Sequence, residues 1–472
     1  MSRLNSLVAL LARLALLGLS VVALGVLAAL SLTGRLASVN ATASGSIIAL
    51  LLATCVVTGY CAFRLGKVGV TRVAFEIGAF FVALYGAEIL MRVLAPEPPT
   101  VAIQRKINAE RLGVPFDFRT KSDIVAELRS KGVDALPGIS REWPRQSRVR
   151  QRLPEGMFPL SHASNADIVE CNESGSYLTY HSDEYGFNNP LGLVASGKVD
   201  AAAVGASFTL GHCVPNGTGI VAQLRQTIPR LANFGMAGSG TLSMLASFRE
   251  YVEPLKPPLV LWIMHPWTAD TRDESGDPIL QRYLEPGFSQ HLFERRAEVD
   301  QVMRNIAVEV QYEADAAQRR AEANGQAGRW AGVITLSALR SRMHLAQLMA
   351  KPPEPVDLRP WDQAIDVARK TTAGWGGRFV VVIMPLYAEV ISHDLADPLH
   401  HDKLAARMRA RGIEVIDTVP VFLDARDPNG LYVMRTNNHP TPEGHHMLAD
   451  YIASQLTAQA RGGAMVARSH TQ

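Results

Sequence analysis

Three apolar runs within the first hundred residues decide most of what this chain can be. Leu14 to Gly34 carries no charge and is rich in Leu, Val and Ala. Leu36 to Phe63 is also uncharged, with its apolar part from about Ile47 onward. Val73 to Val93 is a third run, interrupted by Glu76, Glu88 and Arg92 near its ends. About 20 apolar residues span a bilayer, so three transmembrane helices are expected. The first run is too long for the apolar region of a cleaved signal peptide, and two more follow it. Glu88 and Arg92 are four residues apart, placed to pair on one helix face at the membrane interface.

Orientation follows from the basic residues. Arg3 and Arg13 precede the first run, Arg64, Lys67 and Arg72 crowd the loop between the second and third, and only Arg35 lies between the first and second. The positive-inside rule then puts the N-terminus in the cytoplasm and everything after about Pro96 beyond the membrane. In a bacterium this is a multi-pass inner-membrane protein with a periplasmic C-terminal domain. In that oxidising compartment Cys171 and Cys213 are candidates for a disulfide, whereas Cys55 and Cys61 sit in the second span.

The rest of the 472 residues must build a large core, because 47% hydrophobic and 19% charged residues exclude global disorder. With 47 Lys+Arg against 44 Asp+Glu and no basic stripe, nucleic acid is not an expected partner. There is no CxxC, no Cys/His cluster and no phosphate-binding loop, so neither a metal nor a nucleotide cofactor is expected. The expected organisation is a membrane anchor over 1–95, a linker or lead-in over 96–153, an α/β domain over 154–460 and a disordered tail over 461–472. Within the domain, apolar runs at Val199–Val204, Leu231–Phe234, Leu259–Met264, Phe379–Met384 and Ile413–Ile416 predict buried strands. Helical segments such as Val221–Gln226, Leu242–Val252 and Pro360–Thr371 separate them. Strands alternating with helices predict a three-layer α/β/α sandwich on a parallel, flavodoxin-like sheet. An insertion over about 270–360 interrupts it. Its charged part, His291 to Ala323, predicts a long helix or helix pair that is either a solvated cap or a substrate-selecting element.

Ligands of open parallel sheets bind beyond the carboxyl ends of the strands. Three segments stand there: Gly205-Ala206-Ser207-Phe208, Asn233-Phe234-Gly235-Met236-Ala237-Gly238, and His439-Pro440-Thr441-Pro442-Glu443-Gly444-His445. Upstream lies Asp183-Glu184-Tyr185-Gly186-Phe187-Asn188-Asn189-Pro190. Together, in this order, they resemble the SGNH (GDSL-type) hydrolase superfamily, in particular its membrane-anchored bacterial members, over roughly residues 175–455. The resemblance implies the SGNH hydrolase fold, Ser207 as nucleophile, His439 as its base, and the Ser207 and Gly238 N–H groups as oxyanion donors. His445 and His446 are read as structural.

The chain departs from the family at three points. Ala206 replaces an aspartate that is not a triad member. The triad acid would precede the histidine, where Thr436 and Asn437 stand, and the oxyanion asparagine would fall at Ala269. Asp424 and Asp427 are candidates for the missing acid; His265 and Thr268 are candidates for the missing donor. Asp270 and Asp273 are read as caps or salt-bridge partners. The anchor and the resemblance imply an esterase or acyltransferase acting on O-acyl groups, O-acetyl above all. Its expected partners are an acylated carbohydrate or other ester, the lipid bilayer and an envelope polysaccharide machinery. The competing expectation is a catalytically degenerate module that binds glycan or a partner in an envelope assembly.

Overall fold

The computed structural model describes residues 2–33, 41–94, 101–141, 151, 153–323, 332–342, 355–392, 399–436 and 439–469. The chain divides into two compact units, Met1–Pro98 with Arg320–Pro355, and Pro99–Arg319 with Val356–Gln472.

The first unit holds three helices, Ser2–Leu32, Ala41–Arg64 and Lys67–Leu94, each long and apolar enough to cross a membrane. Small residues let them approach: Ala9, Ala12 and Leu16 pack with Ala62 and Val70. The Ser20 and Thr58 hydroxyls share a hydrogen bond of 2.6 Å between the first two helices. Their outer faces expose Val21, Val56, Phe75 and Val82, a surface suited to lipid. Glu88 pairs with Arg92 at 2.7 Å. Part of the insertion joins this unit. Glu88 is fully buried and accepts the N–H groups of Ala338 (3.1 Å) and Leu339 (2.8 Å) at the start of the short helix Ser337–Arg342. Arg92 donates to Ser337 Oγ. The insertion is therefore more than a solvated cap.

The second unit contains a five-stranded parallel sheet: β4 (Ala201–Gly205), β5 (Leu231–Gly235), β6 (Leu259–Met264), β7 (Arg378–Ile383) and β8 (Glu414–Asp417). Its order is β5-β4-β6-β7-β8. That is the flavodoxin-like order, whose switch point lies where β4 meets β5 on one side and β6 on the other. The register pairs Val204 with Phe234 and with Trp262, so the ends of these three strands lie level. β4 to β7 are buried on both faces, their residues being mostly Ala, Val, Leu and Ile, whereas the edge strand β8 (EVID) is half-buried. Covering helices include Thr241–Ser247, Arg359–Gly374 and Pro442–Ser469.

Two expectations are corrected here. The stretch 96–153 is not a simple linker. It supplies the helix Val101–Leu112 and strand β1 (Ala135–Pro137), which joins β2 (Asp167–Val169) and β3 (Thr179–His181) in a second, three-stranded sheet. Arg141 from this stretch is fully buried, donating to the carbonyls of Ser243 and Leu160. The last helix also runs to Ser469, through most of the expected disordered tail. The charged helix Arg296–Ala323 is present, and buries Val299, Met303, Ile306 and Val310 in the main core.

Candidate active site

Ser207 opens a single helical turn, Ser207–Leu210, directly after β4. The chain can turn this sharply because Gly205 has no side chain: a Cβ there would strike Thr209 and the Ile263 carbonyl. The turn ends at Gly211 (φ 79°), and the His212 N–H closes it on the Ser207 carbonyl at 3.0 Å. The Ser207 hydroxyl is half-buried and makes no hydrogen bond among the described residues.

The loop after β5 is fastened next to this turn, the Met236 N–H donating to the Gly205 carbonyl at 3.1 Å. Gly238 takes φ 71° against Ser140, where a side chain would collide. The buried carboxylate of Glu274 anchors the far side of the loop, accepting the N–H groups of Gly240 (3.0 Å), Leu242 (2.7 Å) and Ser243 (3.3 Å). Sequence reasoning missed Glu274, which comes from the start of the insertion. The N–H groups of Ser207 and Gly238 have no acceptor among the described residues. Free, fixed donors of this kind suit a developing oxyanion.

His439 precedes the last helix, and its partner is Glu173. The imidazole Nδ1 lies 2.9 Å from Glu173 Oε2, and the His439 N–H donates to the same oxygen at 3.2 Å. Arg105, from the helix Val101–Leu112, donates to Oε1 at 2.9 Å. Burial works to raise the Glu173 pKa; the His439 imidazole and Arg105 outweigh it and hold the carboxyl down to about 2. An ionised carboxylate at Nδ1 keeps the proton there and leaves the Nε2 lone pair to act as a base. The Phe208 ring, next to Ser207, contacts the His439 ring edge-on at 5.3 Å between centroids.

This overturns the expected sources of the acid. Asp427 pairs with Arg435 and caps Gly430, and Asp424 is exposed at the end of the short helix Val419–Leu423; neither bonds His439. Asn437 lies outside the described residues. Of the donor candidates, Thr268 gives its hydroxyl to the His265 carbonyl at 2.8 Å. Ala269 is fully buried and offers only a methyl group. His265 is half-buried beside Phe208, 5.7 Å between ring centroids, with a buried Nδ1 that is unpartnered among the described residues. Burial pushes its pKa down to about 4, so it is a neutral imidazole able to donate. Asp270 pairs with Arg272, and Asp273 is exposed. His445 is buried and held neutral, its pKa pushed down to about 3 by burial, and His446 faces Asp450 at the surface.

A disulfide joins Cys171 and Cys213, with Cα atoms 5.4 Å apart. It fastens the segment carrying Glu173 to the segment following Ser207. Closing a loop across a sequence separation of 42 removes about 4 kcal/mol of chain entropy from the unfolded state on the entropic account. The bridge also contains the clue that sequence reasoning left unused: once Cys171 is bonded to Cys213, the carboxylate two residues away must lie beside the Ser207 turn. Glu173, Cys213 and His439 bring possible metal-ligand atoms within 4.8 Å of one another, but Cys213 is bridged and the other two bond each other. His400, His401 and Asp402 form another such group, in which His401 Nδ1 is taken by Asp417 at 2.7 Å.

A parallel sheet bearing a serine, a carboxylate-held histidine and two free N–H donors at its switch point defines an α/β protein with the elements of a serine-hydrolase centre. No protein-family model matches the sequence, and no curated protein matches it. Among solved structures, the chain is similar to a member of the lipolytic protein G-D-S-L family from Veillonella parvula: 12% identity, 55% of this chain, 99% of that one, TM-score 0.30. It is similar also to the lipase/acylhydrolase from Enterococcus faecalis: 10% identity, 56% of this chain, 97% of that one, TM-score 0.32. A third is LAE5, an alpha/beta hydrolase from the metagenome of Lake Arreo: 14% identity, 54% of this chain, 93% of that one, TM-score 0.30.

Proposed function

We propose that the chain is a membrane-anchored serine esterase or O-acyltransferase of SGNH type, acting through Ser207, His439 and Glu173. The observation that carries this reading is the ionised Glu173 bonded to His439 Nδ1, since it supplies the acid that the sequence around His439 lacks. His439 Nε2 takes the Ser207 proton as the oxygen attacks the acyl carbon, and the Ser207 and Gly238 N–H groups receive the oxyanion. His265 is the side chain placed at the strand end where an asparagine is absent. The three spans and the orientation of their basic residues support a periplasmic domain held at a bacterial inner membrane. O-acetyl groups of exported or surface polysaccharide are the substrate class that fits such a placement. The alternative, a degenerate binding module, retains in its favour only Ala269 in place of an oxyanion amide.

The test is turnover by the purified full-length protein in detergent, with p-nitrophenyl acetate and acetylated sugars. Release or transfer of acetate is expected from the wild type and its loss from Ser207→Ala. Glycan binding without turnover by either protein would favour the binding module instead.

A further inference from the structure

The segment that holds Glu173 carries a second carboxylate, and it meets a second histidine. Glu170, directly after β2, contacts His212 through Oε2 and Nδ1. The His212 ring lies 5.0 Å from the His439 ring, centroid to centroid, at 72°. The two imidazoles are placed alike, although Glu173 hydrogen-bonds His439 Nδ1 whereas Glu170 meets His212 Nδ1 as a close ion-pair contact. Each has Nδ1 against a buried glutamate, and the side chains of His212 and His439 keep 17% and 18% of their surface. Neither Nε2 has a partner among the described residues. His212 belongs to the nucleophile's own turn, its N–H bonded to the Ser207 carbonyl at 3.0 Å.

A structural role explains this poorly. The Glu170–His212 contact would tie the two segments together, but the Cys171–Cys213 disulfide, one residue along on each, already does so covalently. Taking Glu170 almost wholly out of water carries a desolvation cost that a tie between two segments already joined covalently does not require. His162, 3.9 Å from Glu170, is fully engaged elsewhere, with Nδ1 on the Tyr180 hydroxyl (2.6 Å) and Nε2 at the Ile139 backbone. Among the described residues, His212 is the histidine that connects Glu170 to the partly exposed side of the site.

We infer that His212, oriented by Glu170, is a second catalytic histidine that handles the proton of the departing and incoming alcohols. This rests on the reading of Ser207 as nucleophile and His439 as its base. The protons balance over two steps. In the first, the Ser207 hydroxyl proton passes to His439 Nε2 as the Ser207 oxygen bonds the acyl carbon. Protonated His212 gives its proton to the alkoxide as the carbon–oxygen ester bond breaks. In the second, an acceptor hydroxyl attacks the acyl-serine and gives its proton to the now neutral His212. His439 returns its proton to Ser207 as that bond breaks. The resting enzyme and the acyl-enzyme each carry one extra proton on the imidazole pair, first on His212 and then on His439, and the donor and acceptor alcohols use the same site. Such a centre is suited to poor leaving groups, sugar or other alkyl alcohols, which need an acid at the moment of departure.

The test compares leaving groups in full-length protein: p-nitrophenyl acetate, whose phenolate leaves unprotonated, against an alkyl or sugar acetate. His212→Gln should lower kcat/KM for the alkyl ester by about 10²-fold, the lower end of what a positioned acid contributes, and leave the aryl ester within a few-fold. Glu170→Gln should show the same split, more weakly. An equal loss on both substrates would make His212 structural and overturn the inference, as would no loss on either. Wild-type protein supplies a readout independent of any variant's folding: a steep fall of kcat/KM with rising leaving-group pKa would also overturn it. Ser207→Ala separates the two readings. If that variant still turns over the aryl ester, the nucleophile assignment itself is wrong.

Discussion

Replacing Glu173 by Gln is expected to lower kcat for acyl-ester turnover by about 10⁴-fold and leave the fold intact. A carboxylate at Nδ1 fixes the imidazole tautomer and stabilises the imidazolium, and its amide counterpart in a serine-protease triad costs about that factor through the wrong tautomer. Glu173 also accepts the His439 N–H at 3.2 Å, so an amide oxygen in the same place preserves the loop while removing the charge. Arg105 loses the Glu173 charge in this variant, but its side chain keeps 24% of its surface and so stays within reach of water. Steady-state kinetics with p-nitrophenyl acetate, alongside thermal unfolding, checks this. A loss under tenfold in a folded sample would return the acid role to another residue.

The second large effect is on acid stability. Glu170 and Glu173 are held at about 2 in the folded protein, against 4.5 ordinarily. Their contribution is complete above about pH 4.5 and is lost as pH falls through 2, about 3 kcal/mol each when fully realised. His265 and His445 are held neutral, at about 4 and about 3 against 6.5. Their contribution is complete above 6.5 and is lost on the way down to those values. Asp183 opposes these groups. Burial raises it from 3.8 to about 6, so its contribution is present below 3.8 and is lost as pH rises through 6. Between pH 6.5 and 4.5 two histidines outweigh one aspartate, and stability should fall gently. Below 4.5 both glutamates join and the fall should steepen. Melting temperatures across pH 7 to 3.5 measure this, and a flat profile down to 3.5 would contradict it.

The main sheet was legible because parallel strands covered on both faces must be continuous apolar runs, as LVLWIM and FVVVI are. The second sheet was not, because strands of three residues such as Thr179–His181 are too short for any periodicity to show. Ser207, Gly238 and His439 could be singled out in the sequence because the roles proposed for them need particular neighbours: small residues at a sharp turn, or a proline-led helix start. Glu173 has no such local mark. It stands 266 residues from His439, and only the folding of the small sheet against the large one brings them together. Arg105 and Glu274 were hidden for the same reason: each acts on a loop far away in sequence, from a stretch that looked like linker or insertion.

The central claim is that Ser207 is activated by the His439–Glu173 pair. A fluorophosphonate probe tests it most directly, because such probes phosphonylate only activated serines. With full-length protein and peptide mapping by mass spectrometry, the account predicts a single adduct on Ser207, formed much more slowly in Glu173→Gln. A folded wild-type protein that takes up no label, or takes it on another residue, would contradict it.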